Sequence, residues 1–334
     1  MKLGIVIVNW NSKDYVREAL ASVRDTCVDL SPQVVVVDGG SYDGCGEMIA
    51  AEFPWAEFVQ SPENIGFGRA NNLGFLSVRT ELLLLLNPDT VLHPGALQAM
   101  IAALESTPDT GMAGAHLLNT DGTLQLFGIH PLPTPWGCAV DSDVVRRRWW
   151  DRHGPPESGA PVRVEAVSGA CMLMRSETFR RVGGFSPQYF MYGEDMDLCK
   201  KVSALGLTIR YAPDARVTHH GGGSSSKEFN RFPTIMIREA HRVYMRLNHG
   251  LAATFAYRFL MGASAIARCA LLASLIPVSG TQSRALRVVA FQKWWSVLRW
   301  SLGMETWASE KFTACGKPIT YGAGVCGLEI EASS

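Results

Sequence analysis

The sequence predicts an α/β fold: a mostly parallel sheet with helices on both faces, followed by a helical C-terminal extension. Three observations predict it. Short apolar runs alternate with amphipathic ones over residues 3–106. Those runs are apolar at consecutive positions, as strands buried on both faces require. Polar segments (NWNS, DGGSYDG, ENIGFG, NPDT) follow directly upon them, where sheets of this kind bind ligands.

LGIVIVNW (3–10) is a buried strand by its β-branched content, and SKDYVREALASVRD (12–25) a helix with Tyr15, Val16, Ala19, Leu20 and Val23 on one side. QVVVVD (33–38) and SYDGCGEMIAAEF (41–53) repeat the strand–helix pair, as do FVQSP (58–62) and GRANNLGFLSVR (68–79). ELLLLLNPDT (81–90) is a fourth strand ending in a turn, and PGALQAMIAALES (94–106) is its helix. The stretch 131–162 is rich in proline, glycine and charge, the composition of a long mobile loop. VEAVSGACMLMRSETFRRVGGF (164–185) restores a strand followed by a helix. Past HHGGGSSS (219–226) the pattern is helical to about residue 310, and the final residues show no helical period. The expected divisions are a domain over 1–230, a helical extension over 231–312 and a tail over 313–334.

With 334 residues, 47% of them hydrophobic, the chain can bury a sizeable core. Lys+Arg and Asp+Glu both number 31, a balance that argues against a nucleic-acid binder. The eight cysteines form no CxxC pair, so reduced thiols in a cytoplasmic protein are expected. MKLGIVIVNWNS lacks the length and cleavage site of a signal peptide. The most apolar late stretch, Cys269 to Ser283, is shorter than the roughly 18–20 residues of a span and contains Pro277 and Gly280. It is expected to lie on a membrane surface rather than cross one.

Candidate chemistry sits at the strand ends. Asp38 follows a buried strand and can accept a hydrogen bond from a base or ribose; Ser41 and Asp43 beside it also suit a helix cap. ENIGFGRANN has Asn71 where a dinucleotide fingerprint needs glycine, so an oxidoreductase is disfavoured, though Arg69 at a helix start suits a diphosphate as well as a solvated surface. Asp89, after five leucines, suits a divalent cation bound to phosphates, or simply a Pro-Asp turn. His219 and His220 precede a triple glycine, and a neutral imidazole there can complete a metal site. In FMYGEDMDLCKK (190–201) Glu194, Asp195 and Asp197 crowd into one first helical turn. The helix dipole favours each by roughly 0.3–1 kcal/mol. Capping accounts for one or two of them but not for the bulky residues packed before them. A carboxylate in so apolar a setting has its pKa pushed up toward the range of a general base.

Taken in order, IVIVNWNS, VVVVDGGSYDG, ENIGFGRANN, LLLLLNPD, SGACMLMR, FMYGEDMDLC and HHGGGSS resemble the family-2 glycosyltransferases over about residues 3–226. The likeness is strongest to a bacterial rhamnosyltransferase-like branch that builds surface polysaccharide. It implies a GT-A, Rossmann-like fold and inverting transfer from a nucleotide-diphosphate sugar, dTDP- or UDP-linked, to a glycan or polyprenyl-linked saccharide. It implies Asp195 as catalytic base, a divalent cation (Mn or Mg) on Asp89 and His219, with His220 the alternate, and Asp38 at the nucleotide base. Asn9, Asn11, Arg69, Asn72 and Glu194 complete the expected substrate and nucleotide contacts. Asn87 stands where the family's metal motif begins with aspartate, and Gly39-Gly40 where DNNS is usual.

Arg238, Arg242 and Arg246 share a helix face, and Arg146-Arg147-Arg148 abuts Trp149-Trp150. Both suit an anionic headgroup or a lipid-linked diphosphate, so the expected location is the inner face of the cytoplasmic membrane. The competing reading is a nucleotide- or carbohydrate-binding protein of the same fold without turnover, supported only by Asn87.

Overall fold

A computed structural model describes residues 2–140, 154, 156, 158–221, 231–278, 280–315, 319–321 and 324–326, without side chains for Val28 or beyond residue 312. The first half opens with β1 (Leu3–Asn9), α1 (Lys13–Thr26), β2 (Gln33–Asp38), α2 (Cys45–Glu52), β3 (Ala56–Gln60) and α3 (Phe67–Ser77). β4 (Leu82–Leu86), β5 (Thr90–Leu92), α4 (Ala96–Glu105), β6 (Thr110–Leu118), β7 (Ile129–His130) and α5 (Pro135–Val140) follow. Then come β8 (Val162–Val164), β9 (Ala166–Val167), β10 (Cys171–Arg175), α6 (Ser176–Arg181), α7 (Glu194–Ala204) and β11 (Thr208–His219). α8 (Arg231–Asn248), α9 (Gly250–Leu275), α10 (Thr281–Ser301), α11 (Thr306–Cys315) and the paired β12 (Ile319–Tyr321) and β13 (Gly324–Cys326) complete the described chain.

The main sheet runs β3-β2-β1-β4-β10-β6-β11-β5, with β8 beside β11. β1, β2, β3 and β4 are mutually parallel, and β6 pairs with β11 in parallel. Side chains alternate across it. Ile5 and Ile7 face a core with Leu20 of α1, Ile49 of α2 and Met100 of α4. Val6 and Val8 face the opposite core, with Phe75 of α3, Phe179 of α6 and Leu198 of α7. Helices therefore cover both faces, and the expected α/β architecture stands.

The differences are local. β10, at the centre, runs antiparallel to both β4 and β6, so its entry, not its exit, reaches the ligand edge. β6 and β11 fall in stretches the sequence pattern leaves unassigned. TGMAGAHLL has two glycines and two alanines, weak strand formers, and is a strand because burial between β10 and β11 supplies the packing. β11 contains Pro213 within an irregularity of register between Ala212 and Arg216, which hides its period. The predicted strand over 81–90 stops at Leu86 and turns through NPD into β5. Helix α2 starts at Cys45 rather than 41, because residues 41–44 form a loop around Asp38. Of the 131–162 stretch, residues 141–153, 155 and 157 lie outside the described residues, including the Arg146–Trp150 cluster.

α9 differs most from expectation. It starts at Gly250, well before the apolar stretch singled out above, and its 26 residues are long and apolar enough to cross a membrane by length and composition. Its two arginines do not interrupt it, because both turn inward. Arg258 donates to the carbonyls of Trp300 (3.0 Å) and Ser301 (3.1 Å), and Arg268 lies 4.0 Å over the Trp294 ring. α8, α9, α10 and α11 share a third core that takes in Tyr189 and Phe190, directly ahead of α7.

Candidate active site

Three clusters line the edge where β1, β2 and β4 end. In the first, Asp38 is buried and its carboxylate accepts from Asn9 Nδ2 (2.6 Å), Gln60 Nε2 (2.5 Å) and the Ser41 amide (3.0 Å), as well as the Ser41 hydroxyl. Burial alone would raise its pKa; these hydrogen bonds, led by Ser41 and Gln60, outweigh it and hold the carboxyl below the usual range. Asp38 lines a cavity of about 500 Å³ with Tyr42, Asp43, Glu47, Phe58 and Gln60. Asp89, His219 and Asp195 do not line it. Asn11 is exposed in a left-handed conformation (φ 52°), outside this cluster.

The second cluster is built by the pairing of β5 with β11, which sets His219 opposite Thr90. The Asn87–Asp89 turn is pinned by Asn87 N donating to Ala170 O (2.9 Å), His220 N donating to Asp89 O (2.8 Å) and Thr90 Oγ1 donating to Asn87 O (2.6 Å). His219 Nε2 then lies 3.3 Å from Asp89 Oδ1. Gln125, which no motif announces, orients the ring. Its amide nitrogen faces Asn119 Oδ1 and the carbonyls of His219 and Gly221, so its Oε1 is turned to His219 Nδ1 at 2.7 Å and accepts that N–H. Nε2 is left as a lone pair, with Asn87 Nδ2 3.4 Å and the Asp89 carboxylate 3.3 Å away, a setting in which it can take a metal ion. Asn87 meets the ring through its amide nitrogen, and its Oδ1 is buried without a hydrogen-bond partner, so a turn of the amide would offer that oxygen to a cation. An oxygen, nitrogen, oxygen donor set fits a divalent cation such as Mn or Mg that completes its shell with phosphate oxygens. Among the described residues no three His, Cys, Asp or Glu side chains gather as a metal site. His220 turns elsewhere, toward Glu18 (3.4 Å), Thr120 (3.1 Å) and the face of Tyr15.

The third cluster answers why three acids share one turn: each has a different setting. Asp197 is buried and accepts from Ser186 Oγ (2.5 Å) and Asn248 Nδ2 (2.9 Å), tying α7 to α8. Glu194 is 6% exposed, its Oε2 has no hydrogen-bond partner, and burial followed by the charge of Asp195 pushes its pKa up to about 8. The raised carboxyl expected of this stretch is therefore Glu194's. Asp195, half-buried, accepts from Gly169 N (3.0 Å) through Oδ2 and from Met196 N (2.8 Å) through Oδ1.

Gly169 and Ala170 connect the second and third clusters, since one holds Asp195 and the next holds the Asn87–Asp89 turn. The reversed direction of β10 makes this possible by bringing its entry loop to the edge. Arg69 lies on the first turn of α3. Asn72 is buried, and both ends of its amide bond the backbone of Phe185, at 2.9 Å each, so its place is in the scaffold that holds the segment leading to α7. Arg242, expected on an open cationic face, is bonded to the buried Glu239 (2.7 Å).

The chain matches the family model described as glycosyl transferase family 2 over residues 4–180, and that of the N-terminal domain of galactosyltransferase over residues 153–221. It is 26% identical over 246 residues to N-acetylglucosaminyl-diphospho-decaprenol L-rhamnosyltransferase of Mycobacterium tuberculosis, a match covering 68% of this chain and 78% of that protein. It is 24% identical over 235 residues to rhamnosyltransferase WbbL of Escherichia coli, covering 68% and 86%. In structure it is similar to the mannosyltransferase PcManGT of Pyrobaculum calidifontis in complex with GDP-Man and Mn2+, with a TM-score of 0.56, 17% identity, and coverage of 94% of this chain and 85% of that one. At that identity the likeness speaks for the fold alone. With the family model spanning more than half its length, the chain belongs to glycosyl transferase family 2, whose members transfer a sugar from a nucleotide sugar.

Proposed function

We propose that the chain is an inverting, metal-dependent glycosyltransferase that adds a sugar, rhamnose in the first instance, to a polyprenyl-linked saccharide at the inner face of the cytoplasmic membrane. The observation that carries this reading is the Gly169–Ala170 junction, which sets the Asp195 carboxylate beside the turn bearing Asp89 and facing His219. The relatives named as rhamnosyltransferases, one of them acting on a diphospho-decaprenol compound by its name, support the sugar and the acceptor.

In this reading residues 1–230 form the transferase domain and 231–312 an extension toward the membrane. Asp38 and Asn9 shape the nucleoside end, and Arg69 meets the diphosphate. Asp195 takes the proton from the acceptor hydroxyl. As the acceptor oxygen forms its bond to the anomeric carbon, the bond to the nucleoside diphosphate breaks and its electron pair leaves on the phosphate oxygen. One displacement inverts the anomeric centre and needs one base and no protein nucleophile. A divalent cation on Asp89, His219 and Asn87 supplies neutralisation of the departing diphosphate's charge when bound. Glu194, neutral below about pH 8, adds no second negative charge beside the base.

The test is thermal stabilisation by dTDP, UDP and GDP with and without Mn2+, followed by NMR of the anomeric configuration of the product. Ligand at about 100 times its Kd should stabilise by roughly 2.7 kcal/mol. A metal-enhanced shift with dTDP and an inverted product are expected. Stabilisation by none of the nucleotides, or a product of retained configuration, would overturn the proposal.

A further inference from the structure

From Ala240 to Met304 the chain has no acidic residue and eight basic ones, although the whole chain is neutral. This is the segment that holds α9 and α10. α9 is about 39 Å long at 1.5 Å per residue, and its sides differ. Tyr257, Met261, Ala265 and Cys269, each four residues after the last, are buried against neighbours that include α5, α8 and α10. Away from this stripe every exposed residue is uncharged; Phe255, Phe259 and Ile266 share one side and are 57–75% exposed, and Leu251 and Leu271 are exposed toward the two ends. Only 17% of the helix's most apolar window is buried, so it is not a core helix. Between Pro277 and Leu286 every described residue is exposed, and Arg284 lies among them. Trp295 of α10, 49% exposed, adds an indole of the kind that sits at a bilayer interface.

We infer that the outer face of α9, with the turn into α10, is a docking surface for an anionic lipid bilayer, in which α9 lies in the plane of the interface and does not cross it. Two features select lipid with negative headgroups. An exposed aromatic and aliphatic stripe along a helix wants an apolar medium, and the exposed Arg284, in a stretch without one acidic residue, is complementary to an anionic leaflet. The buried stripe excludes a transmembrane arrangement, since lipid on all sides would require Tyr257 and its neighbours to leave the third core. The inference rests on the membrane-facing part of the proposed function and not on its chemistry.

The experiment is co-sedimentation of the full chain with vesicles of phosphatidylcholine alone, and of phosphatidylcholine with phosphatidylglycerol. Binding is expected to the mixed vesicles, weaker at raised salt and released by alkaline carbonate. The double variant Phe255→Glu/Phe259→Glu should bind at least ~10-fold more weakly, and Arg284→Glu should bind mixed vesicles more weakly while leaving phosphatidylcholine binding unchanged. Nucleotide-dependent thermal stabilisation of both variants should equal that of the parent, which separates loss of docking from loss of fold or of donor binding. Absence of vesicle binding by the parent, or undiminished binding by the double variant, would overturn the inference. Resistance to carbonate would replace it with a spanning helix. A concentration-dependent dimer abolished by the double variant, without vesicle binding, would assign the face to a second copy of the chain.

Discussion

Asp195 and Glu194 are adjacent carboxyls with opposite surroundings, and their substitutions should separate. Asp195→Asn keeps the shape of the side chain and one of its two acceptor contacts, to Gly169 N or to Met196 N, but cannot take a proton. It should keep nucleotide-induced stabilisation and lose transfer by about 10²–10⁴-fold, measured as sugar incorporated per enzyme. For Glu194 the folded pKa of about 8 lies above the ordinary 4.5. The stability it contributes is therefore fully present below about pH 4.5 and lost as pH rises through about 8. Glu194→Gln, which mimics the protonated form, should remove that loss and raise Tm at pH 8 by a few degrees, with little change at pH 5 by scanning calorimetry. Gln125→Leu should weaken Mn2+ binding roughly 10–100-fold in the presence of UDP, followed by the electron paramagnetic signal of free Mn2+. Much of this was legible beforehand: FMYGED, NPD and the His pair each mark a place where charge meets an apolar strand or helix end. Gln125 was not, because a lone glutamine after an unrecognised strand carries no pattern. Asn72 was legible as a polar residue in a meaningful place, but only the fold shows that its amide faces Phe185.

At the scale of elements, the site depends on how loops are clipped to one another. Gly66 caps α3 with φ of 83°, and a Cβ there would sit 2.4 Å from the carbonyl oxygen of Phe190, whose oxygen accepts from Phe67 N at 3.0 Å. This contact joins the ENIGFG loop to the segment that enters α7. Gly66→Ala meets both a backbone region (φ 83°, ψ 162°) that is essentially glycine's alone, costing about 1–3 kcal/mol, and a clash with backbone that cannot rotate away. It should lower the urea midpoint and transfer together, whereas Gly95→Ala, with no atom near its Cβ, should show the φ cost alone. The strands with consecutive valines and leucines were legible because burial on both faces leaves a plain apolar run. β6 and β11 were not, since alanine, glycine and proline acquire strand geometry there only from neighbours distant in sequence.

Across the whole molecule, α8 joins the sheet edge that carries Asp195 to the other helices of the C-terminal extension. Asn248 reaches Asp197, while the buried Glu239 accepts from Arg242 Nε (2.9 Å), Trp300 Nε1 (2.9 Å) and Ser309 Oγ (2.8 Å), drawing α10 and α11 onto α8. Burial raises the Glu239 pKa, and the bonds led by Arg242 more than offset this, so it stands below the ordinary 4.5. Its stabilisation is present above that value and lost as pH falls below it. Glu239→Ala leaves the Trp300 N–H buried without an acceptor and should cost about 1–3 kcal/mol by urea denaturation at pH 7, with the difference from the parent shrinking in acid.

The edge strand β5 has a consequence for how the protein comes into being. Among the described residues it pairs with the last three residues of β11 alone. A chain emerging from the ribosome can assemble β3-β2-β1-β4 and the pocket around Asp38 early. Asp89 has no partner imidazole until translation has passed His219, and closing so long a loop is a late event in folding. The cavity around Asp38 and the Asp89–His219 pair are thus completed at different stages of synthesis, and a chain ending anywhere before Thr208 lacks the strand on which half of the second cluster is written.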